Sequence, residues 1–191
     1  MIEDAQQTEE MGGRRRFLSG LAVVFLILMA ISLVEAWPQL PDELPMQFDS
    51  NGTPSRSGSR IELVIMVLIV TLATLPMLAG GLWVNWMRRH PRWINMPRKT
   101  EILSLPPERQ APYWELTAEF MAAMAAAMSL MFLLMIRGIL SLITLSPPNL
   151  PAWAVWPGVA AIVLVMLIYL PRLITLPRRL IERNGASGRS G

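Results

Sequence analysis

Few residues in this chain could do chemistry. In 191 residues there is no cysteine and a single histidine, His90. Disulfides, thiolate metal sites and cysteine nucleophiles are excluded, and a histidine-based metal site or catalytic dyad is short of partners. Glu115 and Glu119 lie one helical turn apart, and paired carboxylates can do acid–base work. Here they read as headgroup-level side chains facing basic loop residues. Asp49, Ser50 and Asn51 offer oxygen atoms, but the glycine that follows does not sit where a calcium loop requires it. They read as part of a structured connector. Met121, Met124, Met128, Met131 and Met135 are spaced 3, 4, 3, 4, which puts all five on one helix face. Thioethers bind copper(I), yet the other soft ligands of such a site are missing, so the stripe reads as packing. No zinc-protease helix motif, nucleophile elbow or phosphate-binding glycine loop is present. No catalytic residue, cofactor or metal ligand follows from the sequence, which points to a protein that is not an enzyme.

Arg137 is the exception that demands an explanation. Residues Phe120 to Ile136 precede it with only Ser129 polar. An arginine near a bilayer centre costs roughly 2.5–3.5 kcal/mol on insertion scales. Its long side chain can reach an interface, where Glu35 and Glu62 are expected at the same outer level. The sequence therefore predicts an ion pair between Arg137 and Glu35 or Glu62 that fixes helix packing.

The elements around these residues are membrane spans. Hydrophobic residues make up 53% of the chain and charged residues 16%, against about 25% charged in soluble domains. The apolar residues are clustered into four runs. The first, Phe17 to Trp37, has the length of a hydrocarbon core and exceeds a signal-peptide core, so it reads as a retained helix. The second runs from Ile61 to about Trp83 and includes Pro76, which membrane helices tolerate. The third begins near Glu115 and reaches about Leu145. The turn Ser146–Asn149 follows, and the fourth span covers Trp153 to Leu170. The fold class is an all-α bundle of four transmembrane helices. Its expected parts are a polar tail (1–16), a two-helix unit (17–86) with an ordered external loop (38–60), a proline-broken basic connection (87–114), a second two-helix unit (115–171) and a basic tail (172–191). Ala118, Ala122 and Ala126 form a small-residue ridge that would let another helix approach, in the bundle or from a second copy of the chain.

Charge gives the direction. The N-terminal segment, the 87–114 connection and the C-terminal tail carry three, six and five arginines and lysines, fourteen in all, while the other two loops hold only Arg56 and Arg60. The positive-inside rule puts both termini in the cytoplasm of a cell-membrane protein. Basic residues spread along membrane-flanking segments fit anionic headgroups and argue against a nucleic-acid partner, which would want them on one folded face.

The external loop reads Leu40-Pro41-Asp42-Glu43-Leu44-Pro45-Met46-Gln47-Phe48-Asp49-Ser50-Asn51-Gly52-Thr53-Pro54. Its prolines bias neighbours to extended backbone and Asn51-Gly52 signals a tight turn. An extended piece from Leu44 to Phe48 ending in that turn is expected. The pattern of Leu40, Pro41, Leu44, Pro45, Phe48, Gly52 and Pro54 after a first membrane helix resembles the bacterial membrane domain catalogued as domain of unknown function number 1648. Asn95, Pro97 and Lys99 after the second span are similar to that family's cytoplasmic Asn-x-Pro-x-Lys segment. The resemblance covers about half the chain. Many members have histidine where this chain has Gln47, and an amide neither titrates nor ligates well. The family is similar to the first part of a bacterial immunity protein that protects cells against a secreted toxin. The resemblance implies a multi-pass membrane location rather than an activity. The spans hold essentially one buried polar group, which favours a non-enzymatic recognition, immunity-like or signalling protein whose outer loop meets an envelope protein or peptide. The other reading is a small transporter, or a subunit of one, with Arg137 near a substrate path.

Overall fold

The computed structural model describes residues 2–79, 84, 86, 89–90, 99–143 and 150–187. Helix α1 spans Ile2–Ala36, strand β1 Glu43–Phe48, strand β2 Pro54–Ser59, helix α2 Arg60–Leu78, the short helix α3 Lys99–Leu103, helix α4 Pro107–Ser141 and helix α5 Trp156–Ser187. Single 3-10 turns, Trp37–Gln39 and Ala152–Ala154, follow α1 and precede α5. Among the described residues four stretches are long and apolar enough to cross a membrane: Glu10–Gln39, Arg60–Leu78, Pro107–Ser141 and Ala152–Glu182. The chain is an all-α protein of multi-pass membrane type, as its apolar runs require.

The helices outrun the apolar segments. The N-terminal 1–16 tail is expected without structure, yet α1 begins at Ile2. The proline-broken connection is expected to continue to Trp114, yet α4 begins at Pro107. Pro107 occupies the first turn, where its missing N–H has no intrahelical partner to lose. Pro112 lies within the helix and removes one donor. Likewise α5 runs through Pro171 and Pro177 to Ser187, so the basic tail continues the fourth span as one helix. The Gly80-Gly81 pair, Trp83, the Ser146–Asn149 turn and the motif residues Asn95 and Pro97 lie outside the described residues. Lys99 opens α3.

Helix α4 is the centre of the bundle, packing on α1, α5 and α2. Half of its most apolar stretch is buried, against 22% for α1, 17% for α2 and 6% for α5. The small residues of α4 explain this. Ala118, Ala122 and Ala126 are buried, and Ala126 packs with Ala125 against Ala22 of α1 and Met77 and Leu78 of α2. Short side chains let helices approach closely, the main source of association where lipid is as apolar as leucine. The outward faces of α2 and α5 expose Ile61, Ile65, Leu68, Ile69, Leu72, Val163, Leu164 and Leu167, as lipid-facing surfaces should.

Between α1 and α2 the loop forms an antiparallel hairpin. Glu43 pairs with Ser59, Leu44 with Gly58, Pro45 with Ser57, Gln47 with Arg56 and Phe48 with Pro54, with register shifts around Gln47. The extended piece and its turn are as the sequence predicts, and β2 is an addition. Ser59 then caps α2. Its Oγ accepts from the Ile61 N–H, and Glu62 accepts from the Ser59 N–H, a reciprocal capping box that satisfies donors otherwise left open.

Candidate functional site

The bundle has two polar ends. At the hairpin end, Asp49 organises the turn: its Oδ1 accepts from the N–H of Asn51 (2.9 Å) and of Thr53 (2.8 Å). Its backbone exchanges bonds with Gly52 and Thr53. The carboxylate considered as a cation ligand thus staples the loop. Gly52 has φ 82°, a conformation that favours glycine.

The hairpin is tied to the bundle. Leu40 and Leu44 are buried in a core with Met29 and Leu33 of α1, Leu63 and Val70 of α2, and Leu133, Ile136 and Ile139 of α4. Phe48 packs against the same core, half-buried. The Gly52 carbonyl accepts from the Leu150 N–H at 2.9 Å, joining the turn to the entry of the fourth span. The Arg60 guanidinium lies 5.1 Å from the centre of the Trp37 ring and 3.5 Å from Asp42. Pro41 and Gln47 remain exposed, while Pro45 and Pro54 are half-buried.

Arg137 takes a different partner from the one predicted. Its Nε donates to Ser32 Oγ at 3.2 Å, while that hydroxyl donates to the Leu28 carbonyl of its own helix. Glu62 is paired with Arg56 at 2.7 Å, and Glu35 is exposed. Among the described residues no ion pair joins Arg137 to either carboxylate. Arg137 is exposed, and its length lets it reach an interface while its Nε stays bonded to Ser32. A serine inside an apolar span gives little sequence signal of this role, because its hydroxyl is normally satisfied by its own helix.

The opposite end is formed by the start of α1, the start of α4 and the second half of α5. Arg15 Nη1 donates to Glu115 Oε2 at 2.7 Å. Glu119 is only 1% exposed. Its Oε1 accepts from the Tyr169 hydroxyl at 2.7 Å and lies 3.2 Å from Arg14 Nε. Its Oε2 is buried without a hydrogen-bond partner among the described residues. The expectation that Glu115 and Glu119 face basic residues holds, but those residues belong to α1. Beside them is a cleft of about 380 Å³. Arg14, Arg172, Arg179, Thr175 and Glu10 supply its polar lining, and Met11, Pro112, Leu116 and Leu176 its apolar lining. Sequence reading misses this cleft because Arg14 is far along the chain from Arg172 and Arg179. The local clue is that Arg172, Thr175, Leu176 and Arg179 share one helix face. His90 is exposed and stacks on Trp86, with ring centroids 4.7 Å apart.

The geometry describes a multi-pass membrane protein with an ordered hairpin between its first two spans. Residues 23–71, from within α1 through the hairpin and into α2, match the family described as "Domain of unknown function (DUF1648)". An uncharacterized protein from Archaeoglobus fulgidus is 31% identical over 102 residues, covering 50% of this chain and 56% of the relative. The chain thus spans little more than half the length of that curated relative. No solved structure matches the chain.

Proposed function

We propose that the protein is a non-catalytic recognition protein of the cell membrane, with both termini in the cytoplasm and the hairpin presented outside to an envelope protein or peptide. The observation that carries this reading is the hairpin itself. It is anchored by Leu40 and Leu44 in the bundle core and by Gly52 to Leu150. Meanwhile Gln47, Ser55, Arg56 and Ser57 stay exposed. A recognition surface held in one shape loses little conformational entropy on binding. An immunity-like or signalling role is consistent with the same arrangement, as is a second copy of the chain as partner.

Transport is the weaker reading. Among the described residues the buried polar side chains are Ser32, Thr74, Glu119 and Ser129, and Ser32 and Thr74 both donate back into their own helices. That leaves too few polar groups to line a path. Arg137 is held to Ser32 rather than aimed along one.

A photoreactive amino acid at Gln47, Ser55 or Ser57 tests the proposal in cells. An adduct with an extracytoplasmic protein or peptide is expected at these positions and none at lipid-facing Leu68. Absence of adducts at all three, together with solute uptake that depends on Arg137, would overturn it in favour of transport.

A further inference from the structure

We infer that the cleft at the termini end of the bundle is a site for the phosphodiester headgroup of one anionic lipid, held by Arg14, Arg172 and Arg179. Three arginines from two helices, α1 and α5, line a space of about 380 Å³. Arg172 and Arg179 are seven residues apart on one face of α5, with Thr175 between them as a hydroxyl donor. Guanidinium groups are weakly hydrated and present paired N–H donors that match phosphate oxygens.

All three arginines are exposed. Arg14 faces Glu119 through its Nε, and its side chain is still 53% exposed. Glu10 is the one acidic side chain in the lining, so even with Glu119 against Arg14 three positive charges meet two negative and the cleft is cationic. The other walls decide between a lipid and a free anion. Met11, Pro112, Leu116 and Leu176 give the cleft an apolar side, which a soluble phosphate cannot use and a glycerol backbone with acyl chains can. The site also adjoins a bundle whose α5 exposes Val163, Leu164, Leu167 and Ile168, a surface suited to acyl chains. A phosphate in the cleft would bridge the first helix and the last, both of which pack on α4.

The test is native mass spectrometry of the purified full chain in detergent. It is offered phosphatidylglycerol, a phosphate-free diacyl glycolipid or inorganic phosphate. One phosphatidylglycerol should remain bound per chain under conditions that strip the glycolipid. Arg172→Gln with Arg179→Gln should lower that occupancy at least tenfold. Arg178→Gln, which removes one positive charge from an exposed neighbour outside the cleft, should leave it within twofold. Thr175→Asp adds a negative charge with every arginine intact and should lower occupancy as well, which covers the case in which the double variant fails to fold. Equal loss from Arg178→Gln, equal retention of the glycolipid, or retention of inorganic phosphate in place of the lipid would overturn the assignment.

Discussion

Helices α4 and α5 meet in two ways along their length. Near the hairpin end they touch backbone to backbone. A methyl group built on Gly158 would lie 2.5 Å from the Met131 Cα, and one on Gly138 would overlap the Ala154 side chain in the turn that leads into α5. Toward the other end large side chains stand between them. Tyr169 reaches across to Glu119 at 2.7 Å and its ring centre lies 5.9 Å from that of Phe120. Leu173 and Leu176 fill the next turns. Glycine closes one end, and aromatic and leucine side chains hold the other apart, leaving the arginine-lined cleft. Two helices of similar apolarity can therefore make a sealed contact and an open site in one pairing, through residue size alone.

Changes at the sealed end should cost the most. Gly158→Leu drives a side chain into the Met131 backbone, and overpacking of this kind costs typically about 1–3 kcal/mol. Thermal unfolding in detergent should show the largest loss in stability for this variant. An unchanged melting temperature would break the claim of close contact.

At the open end, Tyr169→Phe removes one of the two donors to Glu119 Oε1. Hydrogen bonds to charged groups contribute about 1.5–3 kcal/mol. The lower figure is expected, because Arg14 remains. The hairpin should respond less. Gly52→Ala places a Cβ at φ 82°, and a left-handed conformation costs a non-glycine residue about 1–2 kcal/mol. Local protection of the hairpin amides in hydrogen exchange should fall while that of the α4 amides holds. Arg56→Ala should have the smallest effect. Its pair with Glu62 is exposed on both sides, and such pairs often contribute nothing measurable, so the melting temperature should not move.

The spans were legible because each is a continuous apolar run, a pattern that lipid alone accounts for. The turn was legible because Asn51-Gly52 needs no distant partner. Strand β2 was not. Pro54-Ser55-Arg56-Ser57-Gly58-Ser59 has neither alternation nor β-branched residues, and its conformation comes from pairing with β1, whose Leu44 is held by the core. The start of α4 was obscured by reading Pro107 as a breaker, when a proline in the first turn suits a helix. The Arg137 pairing was misplaced because the sequence offered two carboxylates and gave no reason to prefer a serine. Arg56, close to Glu62 in chain and space, takes that carboxylate instead. The cleft depends on side chains more than 150 residues apart, Arg14 and Arg172, and local patterns cannot bring such residues together.

The central claim is that the two polar ends face opposite sides of one membrane, the hairpin outward and the cleft inward. A chain without cysteine makes single-cysteine labelling direct. Ser57→Cys on β2 and Thr175→Cys in the cleft are both at exposed positions. With a membrane-impermeant maleimide on intact cells, Ser57→Cys should be modified at once and Thr175→Cys only after the membrane is opened. Labelling of both in intact cells, or of Thr175→Cys alone, would contradict the account.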